Sequence, residues 1–226
     1  MHSIDQAFEN ANASLLGPTD ALLAQIVGGA SLRHAHFMNT LSMLEHLGSY
    51  KIMATQHGAG IDEPTLRHLA DETRHAFFFK RQAERVAKRS LAYRGEDMLA
   101  AASALMYFRR LESKIHGAFP VNVHPRTVYL YMSLMVELRA IWFYRRYQRA
   151  LKKGVFPLSL ETLMAEEIGH LTDMTWRLGV IGDLTEASTQ CFLDTVKSLY
   201  ERMLIDLQRA INGVQDYGEA ITTDKV

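Results

Sequence analysis

The chain has one cysteine, Cys191, in 226 residues. A single thiol closes no internal disulfide and excludes zinc or iron sites built from several thiolates. It reads as a small buried residue of a protein kept in the reducing cytoplasm. Neither sign of charge is in excess, with 25 Lys+Arg against 25 Asp+Glu. That balance offers no basic footprint for nucleic acid or for an anionic membrane surface. A run of about 18 apolar residues is missing, so no membrane span is expected. Residues 1–6 lack the basic and apolar regions of a secretory signal. Strand-like alternation is not found either.

What is present is helical periodicity punctuated by glycine and proline clusters at 17–18, 58–60, 117–125, 154–157 and 179–182. The expected helices run over 19–54, with a break signalled by Gly28-Gly29, then 62–90, 96–116, 125–153, 159–178 and 185–212. Asp62 followed by Pro64 suits a helix start, as does Pro125. Asp183 with Glu186 three residues later is a capping-box pattern. Basic runs at Lys80, Arg81, Arg85, Lys88 and Arg89, and from Arg145 to Lys153, fall at helix C-termini, where the negative end of the dipole favours them. No linker divides the chain, so 1–226 reads as one all-α domain with a single core.

Two Glu-x-x-His units stand on different expected helices: Glu72-Thr-Arg-His75 and Glu167-Ile-Gly-His170. Residues three apart share a helix face, so a Glu and a His so spaced can reach one metal ion. The spacing alone is a weak signal. Glu45 and Glu137 strengthen it, because each is a lone carboxylate in an apolar stretch and would be costly to bury without a cation or partner. Glu45 and Glu72 each lie about ten residues from the same turn, hence about 15 Å along adjacent helices. Glu137 and Glu167 match less evenly, and residues 155–158 would have to climb back along the bundle to level them. Asp71 and Glu166 precede the two units. Each could orient the other unit's imidazole, Asp71 to His170 and Glu166 to His75. His68, one turn before Glu72, is a candidate additional ligand. His34, His36, His46, His57, His116 and His124 read as ordinary polar positions.

The order Glu45, Glu72-x-x-His75, Glu137, Glu167-x-x-His170 resembles the ferritin-like superfamily of carboxylate-bridged di-iron proteins over residues of about 30–178. Asp71-Glu72-Thr73-Arg74-His75 is similar to a string of the bacterial multicomponent monooxygenases. The second copy departs from it, with Glu166 for Asp and Gly169 for Arg. The resemblance implies a four-helix bundle with additional helices in the crossover and at the C-terminus, the last (185–212) covering the bundle. It implies that Glu45, Glu72, His75, Glu137, Glu167 and His170 hold two iron ions, manganese being the other candidate, with Glu72 and Glu167 bridging. The long crossover between His75 and Glu137 resembles the oxygenase and oxidase branches. Phe77, Phe78 and Phe79 after His75 take the place of a radical tyrosine, which disfavours the ribonucleotide reductases. Ile141 stands where some monooxygenases have an oxygen-assisting threonine.

The implied function is oxidation of a small, apolar organic substrate by O2. Its electrons would come from a separate ferredoxin or reductase, since no G-x-G-x-x-G fingerprint is present. The alternative is an iron-binding ferroxidase or peroxide scavenger without an organic substrate. A cytoplasmic homodimer is expected. Met38, Leu41, Ser49, Ile52, Phe79, Leu130, Ser133, Ile141, Tyr144, Leu163, Leu171 and Met174 are candidates to line a substrate cavity, with room left by Gly48.

Overall fold

The computed structural model describes residues 2–56, 61–120, 123, 125–182 and 184–220. These form helices α1 (His2–Ala11), α2 (Leu16–Gly28), α3 (Ser31–Thr55), α4 (Glu63–Ala87), α5 (Ala101–Ala118), α6 (Pro125–Lys153), α7 (Glu161–Ile181) and α8 (Glu186–Ala220), with no strand among the described residues. None of these helices is long and apolar enough to cross a membrane. Two hairpins dominate the packing, α3 with α4 and α6 with α7. The first is antiparallel, since Lys80 reaches Asn39, Ser42 reaches Ala76 and Gly48 meets Glu72. Helices α5 and α8 pack on each other over the bundle, and α2 lies against α6.

Local chemistry explains the element ends. Asp62 accepts a bond from Thr65 N–H at 3.0 Å, as its capping pattern requires. The expected break falls at Gly29, where a Cβ would lie 2.6 Å from the Gln25 carbonyl oxygen. At α8, which begins at Glu186, the cap is Thr185, whose hydroxyl accepts from Ser188 N–H at 3.2 Å. Asp183, the expected cap, lies outside the described residues. Helix α5 starts at Ala101 and not at Glu96. Asn39 and Thr40 of α3 bind the backbone of Asp97 and Leu99, which holds that stretch out of helical register. The N-terminal helix α1, not expected from the sequence, buries Ile4 and Phe8. Cys191 is exposed on α8, contrary to its expected burial, because α8 turns that face away from the core.

The uneven second hairpin is reconciled by the α6–α7 connection. Phe156 N–H bonds back to Leu151 O, and Gln148 on α6 binds both Leu158 O and Leu160 N–H. The segment therefore climbs along α6 before α7 begins, and Glu137 and Glu167 meet at one ring, lying 3.9 and 3.0 Å from His170 Nδ1.

Candidate metal centre

Four helices carry seven buried ligand-type side chains to the middle of the bundle. Glu45 comes from α3, His68, Glu72 and His75 from α4, Glu137 from α6, and Glu167 and His170 from α7; none exceeds 9% exposure. They form two groups that could hold a metal ion, Glu45–Glu72–His75–Glu167 and His68–Glu72–Glu137–His170, with ligand atoms in each within 4.8 Å of one another. Glu72 belongs to both. Glu167 also spans them, its Oε1 lying 3.2 Å from His75 Nδ1 and its Oε2 3.0 Å from His170 Nδ1.

All six residues singled out from sequence are thus brought together, and His68 joins them. Its Nε2 is 2.9 Å from Glu137 and 3.6 Å from Glu72, and its Nδ1 backs onto the Tyr129 hydroxyl at 3.4 Å. The i, i+4, i+7 spacing of His68, Glu72 and His75 on α4 is the signal that places three donors on one face.

Outer carboxylates orient two of the imidazoles. His75 Nε2 meets Glu166 at 2.7 Å and His170 Nε2 meets Asp71 at 3.0 Å, the crossed arrangement expected from the preceding acids. Both rings consequently turn Nδ1 inward. Gly169 leaves the second unit without an arginine, and Arg74 serves both acids, binding Asp71 at 2.6 Å and Glu166 at 2.7 Å. The Tyr144 hydroxyl donates to Glu45. Gly48 makes room for Glu72, since a Cβ there would lie 2.8 Å from Glu72 Oε2.

The electrostatics are those of acids crowded in a dry core. Burial, then Glu72 and Glu167, pushes Glu45 well above the usual carboxylate range. Burial, then Glu167 and Glu72, does the same to Glu137. Burial also opposes ionisation of Glu167, yet the bond from His170 and the His75 ring beside it hold it well below that range. For His75, burial favours the neutral ring, but Glu167, Glu45 and Glu72 outweigh it and raise the imidazole to about 10. His170 is raised as well, Glu167 and Glu137 overcoming its burial. Two buried atoms, Glu72 Oε1 and His75 Nδ1, make no hydrogen bond. At 3.2 Å from Glu167, His75 Nδ1 has the distance of a bond but not its direction. Unpaired donor atoms pointing into a shared buried space fit a cation held between them.

A cavity of about 210 Å³ adjoins the His68–Glu137 end, bounded by α3, α4, α5 and α6. Of the expected lining residues only Ile52 and Ser133 reach it, with Gly48. Met38, Leu41, Phe79, Leu130, Ile141, Tyr144, Leu163, Leu171 and Met174 instead pack into the core, and Ser49 bonds its own helix at His46 O. Phe108, Glu112 and His116 of α5 line the cavity and were not expected, because helical period identifies a face but not the neighbour that covers it. His34 is buried, not a surface group, with Nε2 2.6 Å from the Tyr147 hydroxyl. His46 and His116 are exposed, and His57 and His124 lie outside the described residues.

Comparison of the chain with protein-family models, curated proteins and solved structures finds no match.

Proposed function

We propose that this protein is a dinuclear-metal oxidoreductase of ferritin-like type, holding two iron ions, that uses O2 to oxidise a small apolar organic substrate. The observation that carries the reading is the pair of buried ligand groups sharing Glu72, with Glu72 Oε1 and His75 Nδ1 left without a hydrogen-bond partner. Mixed carboxylate and imidazole donors suit iron or manganese rather than a thiolate-selected metal. When bound, two ferrous ions would supply the site at which O2 is reduced. The chain's own residues do the rest. Asp71 and Glu166 fix the imidazole tautomers, Glu72 and Glu167 span the two positions, and the Tyr144 hydroxyl holds a proton against Glu45. In a hydroxylation, one O2, two electrons and two protons convert a substrate C–H to C–OH and release one water. A separate ferredoxin or reductase supplies the electrons. A cytoplasmic homodimer remains part of the proposal.

The cavity beside His68 and Glu137 favours substrate oxidation over iron storage or ferroxidase activity, which has no use for an apolar chamber at the metals. The test is repeated aerobic cycling of the iron-loaded chain. An oxidase retains its iron through successive rounds of reduction and O2 exposure. Continuous release of Fe(III) with uptake of fresh Fe(II) would instead make the protein an iron handler.

A further inference from the structure

The cavity walls specify the kind of molecule that fits them. Ile52 of α3, Phe108 of α5 and Val128, Met132 and Val136 of α6 make the lining predominantly apolar. The charges at the outer end cancel: Lys51 Nζ binds both oxygens of Glu112, at 2.7 and 2.8 Å. Thr55, also at that end, carries no charge. With Glu72 and Glu137 of the inner end committed to the metal centre, a charged guest would lose its hydration without gaining a free counter-ion, which is costly. At the inner end the Tyr129 hydroxyl, which faces His68 Nδ1 at 3.4 Å, and Ser133 line the wall and can receive one small polar group.

Volume sets the size. A cavity of about 150 Å³ accommodates benzene, so about 210 Å³ corresponds to roughly eight or nine non-hydrogen atoms. We infer that this chamber binds a neutral molecule of one ring, or of that bulk, carrying at most one small polar substituent, and orients it toward the His68–Glu137 side of the centre. Calling the guest a substrate rests on the proposed oxidase function; its binding does not.

The experiment titrates the full chain as purified, without reductant and with metal content measured alongside, using p-cresol, benzoate, benzylammonium and 4-phenylphenol as probes in ligand-observed NMR. The expected result is a p-cresol Kd on the order of 0.1–1 mM, with benzoate, benzylammonium and the two-ring 4-phenylphenol at least about ten-fold weaker. M132W, which fills the chamber, is expected to abolish p-cresol binding with helical circular dichroism and metal content retained. Equal binding of the charged or two-ring probes, or no binding of p-cresol, overturns the inference. Those comparisons use the unaltered chain and stand even if M132W misfolds. A chain that binds p-cresol but no metal keeps this chamber and loses the oxidase reading; one that binds two metals but no neutral ring does the reverse.

Discussion

Arg74 on α4 binds Glu166 on α7 at 2.7 Å while also holding Asp71 on its own helix at 2.6 Å. One guanidinium thereby organises the two carboxylates that orient His170 and His75. Arg74 is half exposed, so its ion pairs contribute little to stability, less than about 1 kcal/mol. Its loss is expected to act on the centre instead. Arg74→Ala should leave the melting temperature within a few degrees but weaken metal binding about ten-fold, the lower end for lost outer partners of metal-bound histidines. Isothermal titration with Fe(II) or Mn(II) beside a thermal melt checks both halves.

Gly48 offers a cleaner separation of fold from site. Alanine in a helix interior is favoured over glycine by up to about 1 kcal/mol. Here its Cβ would lie 2.8 Å from Glu72 Oε2 and push that carboxylate aside. Gly48→Ala should therefore leave the metal-free chain as stable as before, or slightly more so, while lowering metal affinity. Loss of both in parallel would point to a packing role for Gly48 alone.

Metal binding should release protons. In the metal-free centre burial and neighbouring acids favour the protonated forms of Glu45 and Glu137, and the carboxylates beside His75 and His170 favour their imidazolium forms. Binding of two divalent ions displaces such protons and so limits the charge added to the dry core, and proton release near pH 7 is expected. Titration in weak buffer with a pH indicator measures the release, and uptake of metal without proton release would contradict this charge balance.

A pH effect away from the centre is expected from His34. Burial lowers its imidazole from 6.5 to about 4. Between those values the unfolded chain binds a proton that the folded chain does not. Stability is then full above about pH 6.5 and falls as pH drops toward 4, by on the order of 3 kcal/mol. Urea unfolding of the unaltered chain and of His34→Gln should differ in slope across that window, the variant being flatter.

The ligand residues were legible in the sequence because helical spacing alone puts Glu72 with His75 and Glu167 with His170 on common faces. The lone carboxylates Glu45 and Glu137 marked themselves by their apolar neighbours, and Asp71 and Glu166 by adjacency. Residues set by packing between distant helices were not legible. His34 looks polar in sequence and is buried against Tyr147 and Phe156. Met38 and Leu130 share the ligand helices yet are covered by core, whereas Phe108 on the crossover helix reaches the cavity. The return of residues 155–160 along α6 depends on Gln148 bonding two backbone groups, an arrangement no periodicity encodes.

Anaerobic Fe(II) titration, with metal analysis after desalting, tests the central claim most directly. The expected result is two irons retained per chain, reduced in Glu137→Ala and His170→Ala and most severely in Glu72→Ala, with helical circular dichroism kept. Retention of none or one by the unaltered chain, or full retention by all three variants, would contradict a dinuclear centre built on these residues.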